Sequence, residues 1–224
     1  MIEDIDREFP FEFERKFFID AVPAEVMEHG SRQVIVQSYV FAQGGYAVRV
    51  RMTFRDAEIT LPPFDEAVDH VGAYERRALQ QLLALKLEES SIIATIAVKS
   101  PSINGERYEM ESELDAAVAT QILMRSGRLV LKTRYSLWYH EDGWEFDVFA
   151  GQNRGLIIAE IERITPVVDL KIPDFCITEV TADPRFTNDA LSKEPWTQWD
   201  TMYRQELALR GPFFLDLRSP EEPA

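Results

Sequence analysis

The chain has 224 residues, of which 46% are hydrophobic and 28% charged, so it has enough apolar material for a packed core. Its formal net charge of -15 argues against nucleic acid or an anionic membrane as a partner held by a broad basic surface. No run approaches the roughly 18 to 20 apolar residues of a membrane-spanning helix, and the acidic N-terminus lacks the features of a signal peptide. We therefore expect a soluble, cytoplasmic protein.

The first predicted strand, residues 11–17, alternates phenylalanines with charged side chains. Because side chains alternate across a strand, Glu12, Glu14 and Lys16 share one face and the phenylalanines share the other. A charged face can serve solubility alone, so the pattern becomes informative only where other strands repeat it.

A hairpin is predicted next, with strands at residues 33–41 and 46–55 joined at a Gly-Gly pair. The second strand places Arg49, Arg51 and Arg55 on one face and mainly apolar side chains on the other. Its polar face is therefore cationic.

The period then changes to that of a helix, over about residues 66–89, before strand character returns at 91–99 and ends at Lys99. A further strand at about 106–114 has a mainly acidic face made of Arg107, Glu109, Glu111 and Glu113.

The remaining chain is predicted to continue with a short helix at 115–125 and then more strands. Their charged faces carry Lys132 and Arg134 in 129–135, Glu145 and Asp147 in 144–149, Glu160 and Glu162 in 156–163, and Glu179 in 175–181.

Roughly eight short strands with hairpin-like connections predict an antiparallel barrel or sandwich. In an ordinary small barrel the charged face meets water and the apolar face fills the interior. The amphipathic helices also suit the reverse arrangement, in which helices cover an apolar exterior and the charges point inward. We favour this second arrangement, an α+β fold.

Carboxylates and cations recur on these faces in a pattern that predicts chemistry. Alternate strand positions lie about 7 Å apart, so Glu-x-Glu pairs can converge on a cation with oxygen ligands, Mg²⁺ or Mn²⁺. Arginine forks and lysine ammonium groups suit a phosphate chain. Together the two sets predict a metal-assisted polyphosphate site.

These residues resemble the CYTH domain, or triphosphate tunnel metalloenzyme, superfamily, whose signature Glu-x-Glu-x-Lys is found here at 12–16. The similarity continues in the family's order from residue 12 to about 191, through 48–51, 98–99, 108–111, 132–135, 147–149, 155–162 and 179–183.

The resemblance implies a closed, eight-stranded antiparallel β-barrel tunnel with a charged interior and flanking helices. It implies Mg²⁺ or Mn²⁺ held by Glu12, Glu14, Glu109, Glu111, Glu160 and Glu162. It further implies a triphosphate held by Lys16, Arg49, Arg51, Lys99, Lys132 and Arg134. Among these, Lys16, Glu109 and Glu111 are the candidate catalytic residues, for polarising phosphate and for orienting or deprotonating water.

Hydrolysis of a small-molecule triphosphate, inorganic triphosphate first, is the predicted function. The alternatives are a class IV-type adenylate cyclase, a noncatalytic module that binds polyphosphate or a nucleotide, and a helix-clad barrel with solvated charges. Retention of both carboxylates and cations favours catalysis, because an anion binder has little use for buried carboxylates.

We expect residues 1–224 to form one CYTH-like domain, with a core at about 10–191, a helical insert at about 62–90 and a C-terminal extension at about 192–224. The insert could cap a tunnel mouth, form an oligomer contact such as that of a homodimer, or decorate the fold.

Glu113 and Glu145, which lie outside the matched pairs, are expected to be structural, and Asp147 is intermediate. For Arg55, at a strand end, and Arg107, beside a loop, a solvent-exposed position and a phosphate contact are both open. The four tryptophans are predicted to pack in the core or against helices. The single cysteine, Cys176, lies in an apolar run and is predicted to be a buried, unreactive thiol.

Overall fold

The structure, a computed structural model, describes residues 11–70, 72–101, 106–139 and 142–216. The predicted domain's ends, 1–10 and 217–224, lie outside these ranges. The strands are β1 Phe11–Phe18, β2 Ser31–Gln43, β3 Tyr46–Arg55, β4 Ile92–Lys99, β5 Glu106–Glu113, β6 Leu129–Tyr139, β7 Asp142–Phe149, β8 Ile157–Arg163 and β9 Thr178–Glu179. The α-helices are α1 Ala24–His29, α2 Ala73–Ala84, α3 Ala116–Arg125, α4 Asn188–Lys193 and α5 Asp200–Arg210.

The first eight strands close into an antiparallel barrel. Their order is β5-β4-β3-β2-β6-β7-β8-β1, and β1 pairs with β5 as well as with β8, which closes the circle. The short β9 adds to β1 beyond the barrel. This closure confirms the predicted α+β fold with an eight-stranded barrel, and the sandwich alternative is wrong.

The charged faces of the strands point into the barrel. Residues that are paired directly across two strands share a face, and the pairs include Glu14 with Glu162 and Arg134 with Asp147. Lys132 and Asp147 are fully buried, although both are charged. The charged interior is therefore confirmed, and the apolar strand faces form the outer wall.

Helices α2 and α3 cover this wall over β2, β3, β4 and β6. One apolar cluster joins Leu79 and Leu82 of α2 and Leu123 of α3 to strand residues such as Val50 and Met52. The helix predicted at 66–89 is therefore shorter than expected, and it packs on the side of the barrel.

A buried carboxylate fixes the insert against the turn between β7 and β8. Glu75 of α2 accepts a hydrogen bond from the Gln152 backbone N–H at 3.1 Å. The preceding Gly151 has a φ of +60°, and a Cβ there would lie 2.1 Å from the Glu75 carboxylate. Only glycine therefore fits this turn while α2 keeps its position.

The C-terminal extension covers one end of the barrel. Strand alternation places Phe18, Phe149 and Ile158 on the interior face, one step beyond the charged residues. These side chains pack in one cluster with aromatic residues of the extension, including Trp196 and Tyr203. The barrel interior thus changes from charged to apolar, and this end is closed by packed aromatic rings.

One ion pair on the outer face ties the extension to the first strand. Arg15 donates to both carboxylate oxygens of Glu179, at 2.9 and 2.6 Å, and their side chains are only 4% and 1% exposed. Arg15 also donates to the Leu215 carbonyl, and Glu179 accepts from the Leu215 N–H. The two charges therefore hold the segment after α5 against β1.

No helix within the described ranges combines the length and apolar character that a bilayer crossing requires.

Replacing Arg15 with Ala should lower the free energy of unfolding by about 3–5 kcal/mol, because Glu179 would remain buried without its cation. Urea denaturation measures this loss. The double variant Arg15→Met/Glu179→Leu is the control and should lose less than Arg15→Ala. A loss below about 1 kcal/mol in Arg15→Ala would show that the pair does not support the fold.

The Cys176 thiol should be unreactive in the native protein. It is 8% exposed, and burial raises its pKa to about 12, with the Glu179 charge adding to the rise. At about pH 8 it therefore stays protonated, and a thiol-specific disulfide reagent should label the protein only after denaturation. Rapid labelling of the native protein would contradict this expectation.

Candidate functional site

The barrel interior contains a cavity of about 810 Å³ whose lining is dominated by charged side chains. All six predicted metal ligands line it, and so do four of the six predicted phosphate-binding residues. The charged side chains of the lining are Glu12, Glu14, Arg49, Arg51, Lys99, Arg107, Glu109, Glu111, Arg134, Glu145, Glu160 and Glu162, together with His29.

One wall of the cavity carries more positive charge than its carboxylates balance. Arg51 forms an ion pair with none of the described carboxylates, and its Nε donates to the neutral Gln37 side chain at 3.3 Å. Burial lowers the Arg51 pKa, and with the charges of Arg49 and Arg134 acting in the same direction the value falls to about 10. This guanidinium is therefore poised for an anion.

Another part of the lining has the opposite imbalance. Burial raises the pKa of Glu12 to about 8, and a hydrogen bond from Glu12 to Glu109 and the charge of Glu162 add to the rise. The pKa of Glu162 is raised as well, by burial and by the charges of Glu14 and Glu145. These carboxyls are short of positive charge.

Lys16 lies between two carboxylates on neighbouring strands. Its ammonium group contacts Glu14 and lies 2.6 Å from Glu160. Burial disfavours the charged amine, but these two carboxylates outweigh burial and raise the Lys16 pKa above its usual value. Lys16 therefore remains a cation, suited to polarising a phosphate oxygen and unsuited to accepting a proton.

The wall behind the cavity is an ion-pair network around Asp147. Arg134 donates to its two oxygens at 2.7 Å each, and also to Glu160 at 2.9 Å. Lys132 contacts the same carboxylate and is fully buried. Of the predicted phosphate-binding residues, Lys132 and Lys16 are thus held behind the cavity lining, whereas Arg134 reaches it.

The structure brings to this site several residues that were not among the predicted site residues. Arg107 and Glu145 line the cavity, and Asp147 anchors two of its cations. Strand alternation had placed all three on the charged faces, which was the available signal. Tyr39 was missed, although it follows Gln37 by two positions and its hydroxyl accepts a hydrogen bond from that side chain at 3.1 Å.

Other cautious predictions have mixed outcomes. Glu113 and Arg55 are exposed, as expected for solvated strand ends. Trp144, Trp196 and Trp199 are buried, but the prediction for Trp138 is wrong, because its side chain is 74% exposed and lines the cavity. Strand alternation places Trp138 on the same face of β6 as Lys132 and Arg134, which faces away from the outer core.

The carboxylates fit a hard divalent cation by their chemistry and charge. Of the described residues, no three or more carboxylate, histidine or cysteine side chains are already clustered as metal ligands. Lysines and arginines instead occupy several of the carboxylates, as Lys16 does with Glu14 and Glu160. The raised pKa values of Glu12 and Glu162 nevertheless mark oxygen donors that a cation would stabilise.

Comparison with known proteins finds a relative with a named activity. An inorganic triphosphatase from Acetivibrio thermocellus is 38% identical over 103 residues, which cover 45% of this chain and 66% of that protein, just under two thirds of its length. This chain is a homologue of an inorganic triphosphatase. The relationship confirms the predicted resemblance to the CYTH superfamily, although no family model matches the sequence.

Solved structures with similarity to this fold include the inorganic triphosphatase NE1496, at 22% identity and a TM-score of 0.49, over 80% of this chain and 96% of that one. Another is HpAC1 from Hippeastrum, an adenylyl cyclase by name for which a dominant triphosphatase activity is described. It has 12% identity and a TM-score of 0.37, over 69% of this chain and 80% of that one.

Replacing Arg51 with Met should leave the free energy of unfolding unchanged or raise it, because folding places this cation among other cations. Arg49→Met is the matched control and should lower it by about 3 kcal/mol, since Arg49 pairs with the buried Glu109 at 3.1 Å. Urea denaturation compares the two. A loss of more than about 1 kcal/mol in Arg51→Met would contradict the unbalanced charge.

Proposed function

We propose that the protein is a metal-dependent triphosphatase whose preferred substrate is inorganic triphosphate. The observation that carries this proposal is the charge imbalance inside one cavity. Arg51 forms an ion pair with none of the described carboxylates. The pKa values of Glu12 and Glu162 are raised, and the one ion-pair partner of Glu12 among the described residues is Arg107, 3.8 Å away. A triphosphate bound with a divalent cation would provide both missing charges. Its oxygens suit the guanidinium, and its metal suits the carboxylates.

In the proposed reaction, water attacks the terminal phosphorus and the bond to the bridging oxygen breaks, which yields orthophosphate and diphosphate. Arg49, Arg51 and Arg134 hold the phosphate oxygens, with Lys99 as a further contact. Lys16 lies behind the lining between Glu14 and Glu160, and it would polarise the phosphoryl group after it leaves these carboxylates. Mg²⁺ or Mn²⁺, held by Glu12, Glu14, Glu160 and Glu162, would neutralise the developing charge on the phosphate oxygens. The remaining acidic pair, Glu109 and Glu111, orients the attacking water or accepts its proton.

Inorganic triphosphate is preferred for two reasons. The homologue from Acetivibrio thermocellus bears the name inorganic triphosphatase. The cavity lining is mainly charged, and the described barrel end beyond Lys132 is filled by aromatic packing, so the site favours a short, highly charged substrate.

The same proposal treats residues 1–224 as one CYTH-like domain that acts in the cytoplasm. A single cysteine is consistent with a reducing compartment. The insert is assigned a supporting role on the outer wall, because none of the α2 residues lines the cavity.

The proposal is tested by measuring phosphate release from inorganic triphosphate, ATP and thiamine triphosphate. Each substrate is assayed with Mg²⁺, with Mn²⁺ and with a chelator. Release should be fastest from inorganic triphosphate and should disappear with the chelator. Glu12→Gln/Glu14→Gln should lower the rate at least about 100-fold, because both carboxylates belong to the proposed metal site. Glu113→Gln is the matched control on an exposed carboxylate and should keep the wild-type rate.

Three outcomes would overturn the proposal in different ways. Cyclic AMP formed from ATP without orthophosphate would indicate a cyclase. Saturable binding of intact triphosphate in the presence of metal would indicate a noncatalytic module. If the protein neither binds nor hydrolyses a triphosphate, the interior charges have only a structural role.

A further inference from the structure

Arg107 lies between two carboxylates of the proposed metal site, Glu12 and Glu14, and the neighbouring Glu109. Its guanidinium lies 3.1 Å from Glu14, 3.4 Å from Glu109 and 3.8 Å from Glu12. The side chain is 16% exposed and lines the cavity. One cation on β5 thus connects both acids of the Glu-x-Glu pair on β1 with Glu109 of its own strand.

The three carboxylates are not equally dependent on Arg107. Glu109 also contacts Lys99 and accepts a hydrogen bond from Arg49 at 3.1 Å. Glu14 also contacts Lys16. For Glu12, Arg107 is the one ion-pair partner among the described residues, at the longest of the three distances. The guanidinium therefore acts where a divalent cation would, as a shared counter-charge for Glu12 and Glu14.

We propose that Arg107 is a displaceable counter-ion: it holds the metal-site carboxylates before a divalent cation binds, leaves them when the cation binds, and then contacts the triphosphate. The inference rests on the proposed metal and triphosphate sites. A guanidinium and a divalent cation held against the same two carboxylates repel each other, so the two compete. Once displaced, Arg107 remains in the cavity near Arg49 and Lys99, where an anion must compensate its charge.

This exchange links the two ligands. Metal binding releases a cation for the phosphate chain, and triphosphate binding draws that cation away from the carboxylates. Each ligand should therefore strengthen binding of the other, and the coupling must be equal in both directions. A residue that only braced the barrel would give no such coupling.

Titration of the protein with Mn²⁺ alone, without any phosphate compound, tests the competition, with free Mn²⁺ measured by electron paramagnetic resonance. Arg107→Gln should bind Mn²⁺ about tenfold more tightly than the wild type, because a competing positive charge at about 4 Å is removed. Arg55→Gln removes an exposed arginine at the end of β3 and should change the affinity less than about twofold. Equal or weaker binding of Mn²⁺ by Arg107→Gln would overturn the proposal.

The coupling is measured with imidotriphosphate, in which nitrogen replaces the bridging oxygens, bound with and without Mn²⁺. The gain in its affinity on adding Mn²⁺ should fall about tenfold in Arg107→Gln and stay unchanged in Arg55→Gln. An unchanged gain in Arg107→Gln would overturn the proposed transfer to the substrate.

A measurement on the wild type tests the displacement even if the variant fails to fold. The ¹⁵N–¹H signal of the Arg107 Nε should shift as Mg²⁺ is added, whereas that of Arg55 should not, and an unchanged Arg107 signal at Mg²⁺ saturation would overturn the displacement. None of these readouts needs turnover. The two proposals can fail separately. If Arg107→Gln binds Mn²⁺ more tightly than the wild type, but the wild type hydrolyses no triphosphate, the displacement is supported and the proposed hydrolase is rejected.

Discussion

The need to pair buried charges inside the barrel determines most of the structure. Removing an ion from water costs several kcal/mol unless a close partner and hydrogen bonds compensate it. Asp147 meets this requirement by contacting both Lys132 and Arg134, and Lys16 meets it between Glu14 and Glu160. Because these pairs join neighbouring strands, they also define which strand faces point inward.

An interior filled by charges leaves the apolar strand faces outside, where they need a cover. Helices α2 and α3 bury one side, and the chain between β8 and α4 contributes to burying another, around Trp144 and Phe146. The aromatic cluster of the C-terminal extension closes one end. The helices are thus a consequence of the inverted barrel, since a barrel of this polarity would otherwise expose its core-forming residues to water.

Not every interior charge is balanced, and the unbalanced groups are the ones to which the proposed metal and triphosphate would bind. The pKa values of Arg51, Glu12 and Glu162 are shifted because burial disfavours their charged forms and pairing within the protein does not compensate it. Such sites lower stability and are retained where a ligand completes the pairing. The same cavity therefore combines a braced wall, around Asp147, with groups that await an external partner.

Much of this was predictable from alternation along single strands. Period two placed Glu12, Glu14 and Lys16 on one face, and closure of the barrel turned that face inward. Alternation predicts on which face of a strand a residue lies. It does not predict how deep in the barrel the residue lies or which residue it pairs with. Arg107 could therefore not be told from a solvated strand end. The bond between Arg15 and Glu179 joins residues 164 positions apart, and the docking of the extension rests on similar long-range packing, so no local pattern revealed either.

The central claim is that carboxylates and arginines in one cavity bind a metal and a phosphate chain, respectively. It is tested most directly by locating the metal and the phosphate chain in a crystal. Crystals grown with Mn²⁺ and imidotriphosphate would give the metal from its anomalous diffraction and the phosphate chain from the density. The account predicts Mn²⁺ beside Glu12, Glu14, Glu160 and Glu162, with the phosphate oxygens on Arg49, Arg51 and Arg134. A metal or phosphate chain bound outside the barrel, with the interior ion pairs unchanged, would contradict it.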